Sequence, residues 1–477
     1  VRKLLLALIV SLGVTYVAAQ TIGSIIEAIQ TENEAFDRDA ILRDTAIAEL
    51  MSSDPDFANQ DMFESKKGYL SRITASAPKL INLFNSYTLP HLIVLDSLRM
   101  AKEGELTLKT EFLGYDNDSG KVSLNLYSPE FPGVYHEYYH EMAPEIARYI
   151  YTYPDSLFLW GPAYPNIHDQ VAFDLVMTGL KDWTAREIFQ GNHVEIDASI
   201  YDTMNSLVCF SDDGRSMALN HYGTEPNVVY VMRNSRTEYR FNATGPVTSM
   251  DLSPDGRLLA VGVHTTPEFG TDFWVIDVVM NEILLTGSVD GGVTSVDISP
   301  DGRLLVIGGG YTFVASTAQI YEISTGRMLL DFSDSQVISA VKFSPDQRYV
   351  ASTGISLAVW DLLTQERYIY QSSGKYVSCV AFHPNGKTLV TGENNGGFRL
   401  YDLETKTNKG YEGSNSVHSL SYDFLGRYLA LGMNQLKVLN LEKFHYSPIL
   451  DTANGGVFKP GSRILVTKSK NYRVGVW

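Results

Sequence analysis

Cysteine is almost missing from this chain: Cys209 and Cys379 are its two examples among 477 residues. That density excludes a small domain stapled by disulfides. Each sits where a small buried apolar residue is expected and far from the other, so two free buried thiols are predicted. Long apolar runs are also scarce. After Val17 no stretch approaches the roughly 18 residues that a membrane-spanning helix needs. No Gly-x-Ser-x-Gly elbow, phosphate-binding glycine loop with lysine, or Cys-x-x-Cys pair occurs. Positive charge is short too: 38 Lys and Arg stand against 55 Asp and Glu, a net charge of −17. Residues 21–190 hold 26 acids and 13 bases, and residues 191–477 hold 29 and 23. Such a balance repels phosphate backbones and anionic lipid, so no nucleic acid partner is expected.

The first segment is a leader by pattern. Arg2 and Lys3 precede an apolar run from Leu4 to Val17, interrupted by Ser11, Gly13 and Thr15, and Val17-Ala18-Ala19 offers a cleavage site before Gln20. This predicts a signal peptide over 1–19 and a secreted or periplasmic protein with no membrane span after its removal.

What the chain has in abundance is one repeated unit. Val247-Thr248-Ser249-Met250-Asp251-Leu252-Ser253-Pro254-Asp255-Gly256-Arg257-Leu258-Leu259-Ala260 has relatives beginning at Leu207, Val296, Val341, Val380, Leu420 and Gly456. Each is an alternating apolar strand, a tight turn and a second apolar strand, the pattern of a hairpin with one buried face. Pro254, Pro300, Pro345 and Pro384 set φ for the turn, and Gly256, Gly302 and Gly386 relieve its strained position. The equivalent positions Gly214, Gly256, Gly302, Gln347, Gly386, Gly426 and Ser462 are separated by 42, 46, 45, 39, 40 and 36 residues. A period near 40 to 45 marks a four-stranded propeller blade. Third strands end in Trp360-Asp361, Tyr401-Asp402 and Tyr321-Glu322, with Ile276-Asp277 and Leu439-Asn440 as weaker versions.

Over about residues 180–477 this resembles the WD-repeat family. The resemblance implies an all-β seven-bladed propeller that acts as a rigid protein-interaction platform, although no Gly-His pair opens any repeat. The last repeat stops at Val474-Gly475-Val476-Trp477, the end of a third strand. Family practice closes such a ring with a strand from before the first blade, here residues 181–189 against 470–477, which removes exposed sheet edges. The expected organisation is multidomain: signal peptide 1–19, a helical then α+β domain over 20–178, and the propeller over 179–477. A face formed by Thr244 to Val247, Asp290 to Val293, Ser333 to Val337, Ser373 to Val377 and Ser414 to Val417 is the expected partner surface.

In the N-terminal part, Ile25, Ile26, Ile29, Phe36, Ile41, Leu42, Ala46 and Leu50 recur at helical steps, with a break near Asn33. Further helices are predicted at Phe63 to Thr74, Pro78 to Phe84 and Ala143 to Tyr151. Leu106 to Phe112 and Val122 to Leu126 read as a hairpin around Tyr115–Gly120, followed by strands at Leu157 to Trp160 and Val171 to Met177. The acids Asp116 and Asp118 fail the calcium-loop pattern because Gly120 stands at position five, Lys121 at position six where glycine is required, and Tyr127 at position twelve.

One stretch has catalytic spelling. His136-Glu137-Tyr138-Tyr139-His140 matches the His-Glu-x-x-His pattern, which on a helix sets two zinc ligands one turn apart with Glu137 as general base. Pro144 and Pro132 leave little room for that helix, and no third ligand stands at the usual spacing. The favoured reading is a non-enzymatic, cofactor-free scaffold. The alternatives are a zinc-dependent hydrolase through His136, Glu137 and His140, and an accessory region of a longer peptidase-like protein.

Overall fold

The computed structural model describes residues 22–99 and, with breaks, 104–476. Residues 1–21 lie outside it, as do 142–150, 152–156, 181–192, 195–206, 264–271, 333–337, 371–375, 461–464 and 470–473 among others. The leader-like segment, the predicted helix after Ala143 and the proposed closing strand therefore lie outside the described residues.

Two compact units divide the chain, 1–35 with 94–200, and 36–93 with 201–477. In the first, strands β1 (Gly104–Asp116), β2 (Lys121–Tyr127), β3 (Tyr135–Glu141), β4 (Leu157–Pro165), β5 (Val171–Asp174), β6 (Met177–Leu180) and β7 (His193–Val194) form one sheet. Its order is β3-β2-β1-β4-β5-β7, with β6 also on β4. The predicted hairpin is present, with Asp116 opposite Lys121 and a bulge between Phe112 and Gly114.

Helix α1 (Ile22–Ser53) runs without the break expected near Asn33, and α2 (Lys66–Arg99) runs through Pro78 and Pro90. The prediction split α2 because proline removes a helical N–H and crowds the preceding turn. Here Leu70, Ile73, Ala77, Leu80 and Phe84 are buried along one face. That continuous apolar face outweighs the local defect. The stripe on α1 also differs from expectation: Ile41 and Leu42 are 68% and 57% exposed while Arg43 is buried.

The second unit holds the repeats. Among the described residues, six four-stranded sheets and one three-stranded sheet follow in chain order, each an up-and-down meander; they are called sheets 1 to 7 here. Sheet 2, for example, comprises Val247–Leu252, Leu258–Val263, Phe273–Asp277 and Glu282–Gly287. At the turn, the Gly256 amide donates to the Ser253 carbonyl at 2.8 Å, and Asp255 Oδ1 accepts from the Arg257 amide at 3.0 Å. Gly256 takes φ 70°, a conformation that side chains resist. Gln347 occupies the equivalent place in sheet 4 at φ 59°. Its side-chain amide donates to Asp301 Oδ2 at 3.0 Å and accepts from the Asp301 amide at 3.2 Å.

Candidate interaction faces of the repeated sheets

A four-stranded meander places its first and third turns at one end and its middle loop, with the connection to the next sheet, at the other. The assembly thus has a turn face and a loop face. Inner strands are stitched sideways by side chains. Ser249 Oγ accepts from the Val296 amide at 3.0 Å, Asp251 Oδ2 from the Ile298 amide at 2.8 Å, and Asp297 Oδ2 from the Phe343 amide at 2.7 Å. Ser421 Oγ does the same for the Phe458 amide at 3.1 Å. Near the loop end, Thr248 and Thr294 hydroxyls donate to the Val293 and Ile338 carbonyls at 2.6 and 2.8 Å. These links are written in the sequence as Thr-Ser and Asp at fixed places in the first strand, a signal that alternation alone does not weigh.

On the inner strands of sheets 2, 3 and 4, Lys342 pairs with Asp297 and lies 3.9 Å from Asp251. Burial pushes the Asp297 carboxyl up to about 7, with Lys342 pulling it down and Asp251 pushing it up. Burial opposes charge on Lys342 as well, yet the two carboxylates hold its ammonium above its ordinary range.

The turn face is occupied by the helical hairpin. Tyr69, Leu70 and Ile73 of α2 pack with Leu304, Val306, Ile320, Val341, Val350 and Leu362 of sheets 3 and 4. Burying side chains of this size contributes about 1.5–3 kcal/mol each. Polar contacts fix the seat: Lys66 Nζ to the Met328 carbonyl at 3.0 Å, Ser71 Oγ to the Leu363 carbonyl at 3.2 Å, and Gln365 Nε2 to the Lys67 carbonyl at 2.8 Å. On sheet 1, buried Arg43 reaches Asp213 at 3.4 Å, and Arg215 pairs with Asp37.

Sheet 3 shows how the repeat is altered to receive the helix. In sheets 2 and 4 the turn arginine pairs with the acid that ends the third strand, Arg257 with Asp277 at 2.7 Å and Arg348 with Asp361 at 2.9 Å. In sheet 3 the corresponding Glu322 accepts the Tyr69 hydroxyl, and Arg303 lies over the Phe57 ring at 5.4 Å. Burial, then the hydrogen bond to Glu322, pushes the Tyr69 phenol up to about 12.

His136 and His140 are on β3, in register with Leu126 and Val122 of β2. Positions four apart on a strand are separated by about 13 Å. His136, Glu137 and His140 thus lie on a strand, where the sequence pattern would need a helix to bring two zinc ligands together. Among the described residues no group of three or more His, Cys, Asp or Glu is placed to hold a metal ion. Cys209 and Cys379 are free, on the first strands of sheets 1 and 5, and burial raises both thiols, Cys379 to about 12.

The family model described as WD domain, G-beta repeat matches residues 235–265, 281–313 and 365–402. The C-terminal region contains WD40 repeats. The N-terminal region matches no family model. Periodic tryptophan protein 2 of Saccharomyces cerevisiae is 25% identical over 364 residues, covering 64% of this chain and 36% of that protein. WD repeat-containing protein SL1-17 of Schistosoma mansoni is 30% identical over 129 residues, 26% of this chain and 43% of its own. Pre-mRNA-processing factor 19 of Dictyostelium discoideum is 27% identical over 176 residues, 32% and 34% of the two chains. The chain thus spans about a third to two fifths of the length of the curated relatives it matches. The β-propeller domain of Myceliophteria thermophila Cps50 (Swd1) aligns over 58% of this chain and 97% of its own at 12% identity and TM-score 0.49.

Within the WD40 region the expected partner surface falls on the loop face. Thr244–Val247 is described in full, whereas Asp290, Ser333–Val337, residues 373–375 and Ser414 lie outside the described residues. No helix among the described residues is long and apolar enough to cross a membrane.

Proposed function

We propose that this chain is a non-enzymatic protein-interaction scaffold whose WD40 sheets close into a seven-bladed ring and offer the loop face to a protein partner. The observation that carries the choice of face is the helical hairpin, which already covers turns of sheets 1, 3 and 4. A partner meets the opposite side, where connections vary without disturbing the strands.

Closure is supported by one repeated approach. A Cβ on Gly256 would meet Ser216 of sheet 1, one on Gly386 would meet Asp346 of sheet 4, and one on Gly426 would meet His383 of sheet 5. Each of these three turn glycines thus faces the preceding sheet, whereas Gly302 of sheet 3 has open space. For Gly214 in sheet 1 the neighbour is Pro460 of sheet 7, its carbonyl 2.6 Å from a built Cβ. Residues 181–189 are proposed to complete sheet 7. Export through the leader-like segment is a proposal from sequence alone, checked by the N-terminus of protein recovered from medium or periplasm.

The test of the scaffold reading is partner capture with two variant sets. Thr244→Lys with Gly291→Asn marks the loop face; Lys66→Ala with Gln365→Ala marks the turn face. Loss of the captured protein with the loop set alone supports the reading. Loss with the turn set alone overturns it.

A further inference from the structure

Two places before the turn serines Ser253, Ser299 and Ser344, the inner strands of sheets 2, 3 and 4 carry Asp251, Asp297 and Lys342. The same place in sheets 1, 5, 6 and 7 holds Cys209, Ala381, Ser421 and Val457, so charge at this level is confined to three neighbouring sheets. The stitch to the next sheet needs only an oxygen there: Ser421 Oγ accepts the Phe458 amide at 3.1 Å as a neutral group. Asp251 and Asp297 make the same link to Ile298 and Phe343 with carboxyls. Like charges set side by side between strands repel, so two acids here do more than stitch.

Their surroundings disfavour full ionisation. Both carboxyls are nearly buried, 15% and 8% exposed, and one ammonium serves both: Lys342 Nζ pairs with Asp297 Oδ1 and lies 3.9 Å from Asp251 Oδ1. The two carboxyls are also hydrogen-bonded to each other, a contact that requires a proton on one of them. The other titratable groups facing the cluster are Cys209 and Asp212 of sheet 1, with Asp213 beside Asp212 and committed to Arg43. Asp212 adds a third carboxyl and Cys209 a thiol, and Lys342 is the one cation among these groups. Burial raises both Asp251 and Asp297, the latter to about 7, while Lys342 pulls each down.

We propose that Asp251 and Asp297 share a single proton at neutral pH and act as a proton-sensitive clasp between sheets 2, 3 and 4. With the proton, the pair and Lys342 balance to no net charge. Without it an uncompensated carboxylate remains in the seam, and the seam loosens. The unfolded chain, with its carboxyls near 3.8, gives up this proton earlier than the folded one. Stability from the clasp is therefore full below 3.8, declines as pH rises toward 7, and is gone above it.

The experiment is thermal unfolding of the full chain and of Asp251→Asn at pH 5 and pH 8. The carboxamide keeps an acceptor for the Ile298 amide and a donor for Asp297, so it imitates the protonated pair and leaves Lys342 with Asp297. At pH 8 the variant is expected to melt about 2–4 °C above wild type, and at pH 5 the advantage should vanish. A variant that melts below wild type at pH 8, or differs from it equally at both values, would overturn the proposal. A second measurement leaves the pair untouched. Infrared spectra of Asp212→Asn, which lacks the third carboxyl, should show the carbonyl band of a protonated carboxyl at pH 6 that disappears by pH 9. Spectra without such a band at pH 6 would equally rule out a shared proton.

Discussion

The Arg43 guanidinium lies 3.4 Å from the Asp213 carboxylate across 170 residues of sequence, and both side chains are almost wholly buried. Arg43 also donates to Asp44 at 2.9 Å and lies over the Phe84 ring at 4.6 Å. Asp213 in turn accepts from the Ser211 hydroxyl and the Arg215 amide. One ion pair thus ties α1 to the turn of sheet 1.

Removing one partner of such a pair leaves the other charge buried and uncompensated. Arg43→Met is expected to lower stability by about 3–5 kcal/mol. Urea unfolding measures it, and Arg43→Lys should recover only part because it loses the planar stack on Phe84.

Tyr69→Phe deletes the hydroxyl that Glu322 accepts, leaving a carboxylate short of a partner. A loss of about 1–3 kcal/mol is expected. Hydrogen exchange should quicken first at the start of α2, before any change in sheets 5 and 6; uniform quickening would refute a local seat.

Lys342→Met removes the cation between Asp251 and Asp297. A carboxyl whose folded pKa is about 7, above the unfolded 3.8, favours folding less and less as pH rises between those values. Without Lys342 both carboxyls move higher still. Thermal melts of the variant should therefore fall further below wild type at pH 8 than at pH 5, and an equal deficit at both would be against the cluster.

Gly214→Ala tests the ring. The added Cβ meets the Pro460 carbonyl and must adopt φ 67°. A loss of about 1–3 kcal/mol is expected from strain of this kind, against a smaller loss for Gly302→Ala, which has the same backbone hand at φ 74° and open space around it. Equal losses would speak against sheets 1 and 7 meeting there.

The repeats were legible because their information is local: Ser253, Pro254, Asp255 and Gly256 build a turn from their own hydrogen bonds, and the strands alternate around it. The helical seat was not, because Lys67 meets Gln365 across 298 residues and nothing near Tyr69 announces Glu322. Ile41 and Leu42 misled for the same reason: a stripe drawn by helical spacing cannot see that Asp213 draws Arg43 inward. His136 and His140 fit a spelling whose chemistry requires a helix, and the Tyr-rich strand between them pairs with Lys121–Tyr127 instead. Gln347 departs from the glycine pattern at a position where its side-chain amide holds Asp301.

The seat also sets an order of events at synthesis. Ser71 leaves the ribosome 294 residues before Gln365, its hydrogen-bond partner. At about 5–20 residues per second that is a wait of roughly 15–60 seconds. Throughout it Tyr69, Leu70 and Ile73 lack the sheets that will cover them, so the helices arrive early and the surface they serve arrives late. Newborn chains pass through a period in which the hairpin must be sheltered by something other than its own propeller.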